Sequence, residues 1–158
     1  MTGTLSSHAR QAAAIALGEI DPESRPAVLG LIELLKDEDF VVRYYGAQAL
    51  GQMGSAASEA VPALTDLLED EDSYVRASAA EALWKLTHRA NLVLPALIEI
   101  VQKHEAKLDA IRVLALLGKD ATPAIPALRD SLNDRYESVR RAAAAALRHL
   151  DPEFTGER

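Results

Sequence analysis

The sequence predicts an all-α fold in which about nine helices stack, pair upon pair, into a superhelix. Three observations carry that prediction. One segment recurs in register: "HARQAAAIALGEID" (8–21), "VVRYYGAQALGQMG" (41–54), "YVRASAAEALWKLT" (74–87), "EAKLDAIRVLALLG" (105–118) and "SVRRAAAAALRHLD" (138–151) align on Arg10, Arg43, Arg76, Lys107 and Arg140, spaced by 33, 33, 31 and 33 residues. A companion precedes the last four copies: "VLGLIELLKD" (28–37), "VPALTDLLED" (61–70), "LPALIEIVQK" (94–103) and "IPALRDSLND" (125–134). In both segments apolar residues recur at the three-and-four spacing of one helix face, as in Val42, Gly46, Leu50 and Met53, or Leu64, Leu67 and Leu68.

The companion forms the A helix and the first segment the B helix of each pair. The chain opens on a B helix over 8–21 with no A helix before it. Complete pairs follow over 24–54, 57–87, 91–118 and 121–151, all within one repeat domain, 1–158. Pro62, Pro95 and Pro126 are expected in the first turn of their A helices, where a missing N–H costs nothing. Acidic turns such as "EDED" (69–72) separate A from B, and Asp72 or Ser73 can cap the B helix. Gly54 and Gly118 end theirs. In the third pair only "QKHE" lies between Val101 and Ala106, so that turn is short and lacks the aspartate of the others. One pair cannot bury its apolar face alone, so neighbours must stack. The first helix would leave Ile15 or Leu17 partly uncovered, which predicts self-association or a longer parent protein.

Composition narrows the function. The 158 residues are 49% apolar but only 4% aromatic, with alanine and leucine dominant, as suits helices that pack closely through small side chains. A net charge of −7 and a pI near 5.1 argue against nucleic acid, whose phosphates call for clustered Lys and Arg. There is no cysteine, hence no disulfide or thiolate metal site. The N-terminal segment has no signal-peptide pattern, and no run approaches the roughly 18 apolar residues of a membrane span. These features place the chain in the cytoplasm, with no membrane partner.

The pattern PALxxLLxDxDxxVRxxAAxALxxxG, matched almost throughout by residues 61–87, resembles the short HEAT-like repeats also found in phycobilin lyases. The resemblance covers about residues 8–151. Tetratricopeptide and ankyrin repeats have similar periods, but their "WxxLGxxY" and "TPLH" signatures are absent. The resemblance implies a HEAT-like solenoid, a right-handed superhelix with B helices on its concave side, and partner binding far more often than catalysis.

Advancing about 100° per residue sorts the B-helix positions. Val42, Gly46, Ala49, Leu50 and Met53 face the core. Arg43 and its equivalents sit at the edge of that face, four residues after Asp39 or Asp72, which suggests a ladder of ion pairs within or between repeats. Tyr44 and Gln48 point the opposite way, and Tyr45 lies at the flank, packed on a neighbour. The outward rows give the candidate partner-binding residues: Tyr44, Gln48, Glu81, Trp84, Leu108, Arg112 and Arg141. Glu81 and Arg112, opposite in charge in consecutive pairs, are expected to bridge. Trp84 has only Gly51 and Ala115 beside it in its row, which leaves room around the indole.

Catalytic chemistry finds little support. HEAT-like deoxyhypusine hydroxylases hold iron through several His-Glu pairs at successive helix starts; this chain has one, His104-Glu105, outside the matching register, where Tyr44-Tyr45 stands. "HEAKL" (104–108) lacks the second histidine of a zincin, and "GKD" (118–120) is no phosphate loop. HEAT-like alkylpurine DNA glycosylases line a groove with basic and aromatic residues, which net charge disfavours here. The expectation is therefore a non-catalytic scaffold, without metal or cofactor, that binds a protein or peptide of basic or mixed charge on its concave face. The alternative is a bilin-lyase-like subunit or chaperone that handles a tetrapyrrole or its acceptor protein.

Overall fold

The computed structural model describes residues 5–20, 23–103, 105–151 and 153–155. They hold nine α-helices and no strand: α1 (Ser7–Ile20), α2 (Arg25–Leu34), α3 (Phe40–Met53), α4 (Val61–Asp66), α5 (Ser73–Thr87), α6 (Ala90–Lys103), α7 (Lys107–Leu117), α8 (Ile125–Asp130) and α9 (Glu137–Leu150). The predicted all-α class and the B, AB, AB, AB, AB order are both present. The helices divide between two compact units, Met1–His88 and Arg89–Arg158.

The A helices are less uniform than their sequences. In the second and fourth pairs each is a short α-helix between two 3₁₀ segments, Gly54–Ala60 and Leu67–Glu69 around α4, and Gly118–Ala124 and Ser131–Asn133 around α8. Gly54 and Gly118 make those entries possible at φ +59° and +57°, a region that L side chains avoid. The third pair has no such glycine. His88 adopts the left-handed turn instead, its N–H donating to the Trp84 carbonyl at 2.8 Å, and α6 runs from Ala90. Pro95 consequently lies inside α6 rather than in its first turn, whereas Pro62 and Pro126 stand where expected.

In the first unit the predicted core face is buried: Val42 and Leu50 are fully enclosed, with Ala49 and Met53 nearly so. A second face of α3 is buried as well, at Ala47 and Gly51, because α3 packs on α2 and also between the B helices α1 and α5. Small residues set that spacing. A Cβ added to Gly18 would lie 2.8 Å from the Cβ of Ala49, and one added to Gly51 would lie 3.0 Å from the Cα of Ala82. This close approach is why an alanine-rich, aromatic-poor chain folds well here. At the start of the chain α1 buries Ala14 and Gly18 but leaves Ile15 at 37% exposure. In the second unit Leu97, Ile100, Ile111, Leu114, Leu128 and Leu147 form the core between α6, α7, α8 and α9.

Candidate functional site

A ladder of cations orients the B helices. Arg43 of α3 donates from Nε and Nη2 to the two carboxylate oxygens of Asp70, at 2.8 and 2.9 Å, while its Nη1 donates to the carbonyls of Asp37 and Glu38 at 2.9 and 3.2 Å. Arg10 holds Asp37 in the same fork, at 2.6 and 2.9 Å. Lys107 reaches Asp134 at 2.8 Å. Each rung joins residues 27 apart, from one pair to the next. The ladder expected from sequence is present, but its carboxylate is the first aspartate of the turn, not Asp39 or Asp72 four residues before the arginine. Those second aspartates cap the B helices, Asp39 accepting from Val41 N–H and Asp72 from Tyr74 N–H. The turn couples both jobs, since Asp37 also accepts the N–H of Asp39 and Asp70 that of Asp72. The guanidinium of Arg10 holds Asp37 below the usual carboxylate range, and Lys107 does the same for Asp134.

Arg76 departs from this pattern. Its Nη1 rests on the Asp70 and Glu71 carbonyls at 2.6 and 3.3 Å, but among the described residues it has no carboxylate. Its Nη2 is buried without a hydrogen-bond partner. Position 103, 27 residues on, is lysine. The short third turn thus removes a rung.

Beside the ladder and the packed faces, α3 and α5 of the first unit each keep one polar strip. On α3 it runs Tyr44, Gln48, Gln52, with the glutamines exposed and Tyr44 half-buried. Tyr44 meets Tyr45 edge to face, centroids 5.2 Å apart, and its carbonyl accepts from Ser78 Oγ at 3.2 Å. On α5 the strip runs Glu81, Trp84, Lys85, His88. Glu81 pairs with Lys85 at 2.6 Å, so its carboxylate is taken within its own helix rather than by Arg112. Trp84 is half-buried with its ring 5.2 Å from that of His88. Two readings of this face need correction. Gly51 offers Trp84 no free space, because it is the contact point of α3 with Ala82. Ala77, the equivalent of Tyr44, is only 2% exposed, so that row belongs partly to packing.

In the second unit Leu108 is half-buried, Arg112 is exposed, and Arg141 is exposed and paired with Glu137 one turn back. Arg141 also lines a surface groove of about 980 Å³ with Arg129, Arg140, Arg148, Leu132 and Phe154. Sequence reading missed this groove, because its walls come from α8, α9 and the segment after Leu150. The exposed aromatics Phe40 and Tyr74, in the first turns of α3 and α5, were also missed. They fall outside the outward rows.

Among the described residues no group of three or more His, Asp or Glu side chains could hold a metal ion, and no helix is long and apolar enough to cross a membrane. His104 lies outside the described residues.

Comparison with known proteins agrees with the repeat. A family profile described as HEAT repeats matches residues 28–115, and one described as HEAT repeat matches 124–153. A search of curated protein sequences finds no match. Among solved structures, the complex of CpcE and CpcF of phycocyanin lyase from Nostoc sp. PCC7120 contains a chain 31% identical over 95% of this one, with a TM-score of 0.73. The present chain spans 62% of that chain's length. An engineered protein is 24% identical over 91% of this chain and 74% of its own, with a TM-score of 0.59. Computationally designed armadillo repeat proteins for modular peptide recognition are 18% identical over 90% of this chain and 76% of theirs, with a TM-score of 0.58.

Proposed function

This chain belongs to the HEAT repeat family, and we propose that it is a non-catalytic scaffold that binds a protein or peptide on the polar strips of its B helices. One observation carries the reading. In α3 two faces are buried, one against its A helix and one against α1 and α5, so the strip of Tyr44, Gln48 and Gln52 is what remains to face a partner. The neighbouring α5 adds Glu81, Trp84 and Lys85. Half-buried aromatics flanked by exposed amides and charges have the character of binding hot spots. Leu108, Arg112 and Arg141 are the corresponding residues of the second unit. Affinity capture with the intact chain, followed by titration of the captured protein into Tyr44→Ala and Trp84→Ala variants, tests the reading. Undiminished affinity in both variants would end it.

A second reading is favoured by the 31% identity with the phycocyanin lyase chain. The protein would then be a subunit of a bilin-lyase-type complex that handles a tetrapyrrole or its acceptor protein. Titration with phycocyanobilin, followed in the visible spectrum, separates the two. A saturable shift lost in Trp84→Ala supports the lyase-like reading, and an unchanged spectrum supports the scaffold.

A further inference from the structure

The acidity of the chain is concentrated in its first unit. Residues 1–88 carry fourteen acidic and six basic side chains, a net charge of −8, whereas residues 89–158 carry ten and eleven. Much of it lies in two turns, 37–39 before α3 and 70–72 before α5. One guanidinium ties both turns into a single edge. Arg43 donates to the carbonyls of Asp37 and Glu38, grips the Asp70 carboxylate and lies 3.6 Å from that of Glu71. Most other charges there are committed. Asp37 is held by Arg10, Asp39 and Asp72 cap their helices, Arg76 turns onto the carbonyls of Asp70 and Glu71, and Lys36 is held by Glu33. Glu38 and Glu71 each have a ladder arginine 3.6 Å away, yet their side chains stay 89% and 88% exposed. Shortly after them stand two exposed aromatics, Phe40 and Tyr74. The repeat does not need rings there: the positions equivalent to Phe40 include Ser7, Ser73 and Glu137, and those equivalent to Tyr74 include His8, Val41 and Ser138.

We infer that this edge docks a basic segment of a partner polypeptide, with arginine side chains laid over the Phe40 and Tyr74 rings and paired with Glu38 and Glu71. The chain carries a closed copy of the contact. In the turn before α9 the guanidinium of Arg135 lies over the Tyr136 ring, 4.5 Å from its centroid. Arg135 stands five residues before Arg140, the register at which Glu38 precedes Arg43 and Glu71 precedes Arg76. The second unit thus supplies its own cation to an exposed ring. The first unit offers rings and carboxylates, and among the described residues no cation lies over Phe40 or Tyr74. A ring face attracts a guanidinium through its quadrupole, and arginine combines that stacking with pairing to a carboxylate. An exposed ion pair alone contributes little, so the rings and the carboxylates must act together. The charge of the unit draws a basic segment in and repels nucleic acid. Among the described residues these carboxylates form no group that could hold a metal ion, so the cations of a polypeptide are the chemistry the edge fits. It uses none of the residues of the B-helix strips.

The test titrates the intact chain with a short peptide of alternating arginine and glycine, and with the same peptide carrying citrulline, which keeps the shape of arginine without its charge. Ring-proton NMR signals of Phe40 and Tyr74 are followed beside the indole signal of Trp84. The Phe40 and Tyr74 signals should move saturably with the arginine peptide while Trp84 stays still, and the citrulline peptide should move none of them. This arm leaves the protein unaltered, so no loss of folding can mimic the result. By calorimetry the double variant Phe40→Ala/Tyr74→Ala, which keeps the net charge, should bind the arginine peptide about tenfold more weakly. Glu38→Gln/Glu71→Gln should lose at least about threefold more affinity than Glu19→Gln/Asp66→Asn, which removes the same charge from other exposed positions of the unit. Undiminished affinity without the rings, equal losses in the two charge variants, or unmoved Phe40 and Tyr74 signals each overturns the inference. Movement of Trp84 alone overturns it too, while leaving the B-helix reading intact.

Discussion

Arg43 and Asp70 are each less than a tenth exposed at the side chain, and between them they make the two-point fork that fixes α3 against the next turn. Removing one member of such a pair strands the other charge away from water. Asp70→Asn should therefore lower stability by about 3 kcal/mol, read from urea unfolding. The solvent-facing Asp66→Asn should change it little. Acid tests the same ladder. Asp37 is held below the ordinary carboxylate range by Arg10, Asp134 by Lys107, and Asp151 by Arg129. A group whose folded pKa lies below its unfolded value of about 3.9 stabilises fully above that value and loses the contribution as pH falls through the folded pKa. Stability should thus hold from pH 7 to about 5 and fall steeply below 4. In Lys107→Met that fall should be shallower. The arginines were legible in the sequence as a ladder, but their partners were not. Asp37 and Asp39 are both within reach of a helix start, and only the 27-residue reach between pairs decides which one is gripped.

At the scale of the element, the helices followed the sequence and their entries did not. Two copies of the A helix carry Gly54 or Gly118 and a 3₁₀ lead-in, while α6 starts at Ala90, two residues after His88, with no 3₁₀ segment before it. The proline common to all three therefore has different consequences. In α6 it lies beyond the first turn and removes a bond to the Asn91 carbonyl. Pro95→Ala should raise stability by about 1 kcal/mol, whereas Pro62→Ala and Pro126→Ala, at helix starts, should change it by less than about 0.5. Thermal unfolding of the three variants separates these outcomes; equal effects would contradict the placement of Pro95. The helical wheel identified Val42, Leu50 and Met53 as core because the nearest A helix dominates that face. It missed Ala47 and Ala77, which are buried although the wheel places them off the core face.

At the scale of the molecule, a repeat that buries its aliphatic stripes in its own stacking leaves binding to strips that stacking does not use. Trp84 and Tyr44 were visible as candidates because aromatics are scarce in this chain. What the sequence concealed is that both are half-buried, Tyr44 against Tyr45 and Trp84 against His88, so each carries some packing as well. The groove beside α9 was illegible, since it needs the fold of three elements to exist. The most direct measurement pairs affinity with stability. Tyr44→Ala and Trp84→Ala are titrated by calorimetry against the protein captured by the intact chain, and each is melted alongside. Each substitution is expected to weaken binding by about 2 kcal/mol, near thirtyfold, with a smaller loss of folding stability. Variants that melt much earlier yet bind as tightly as the parent would make both side chains packing residues and contradict the account.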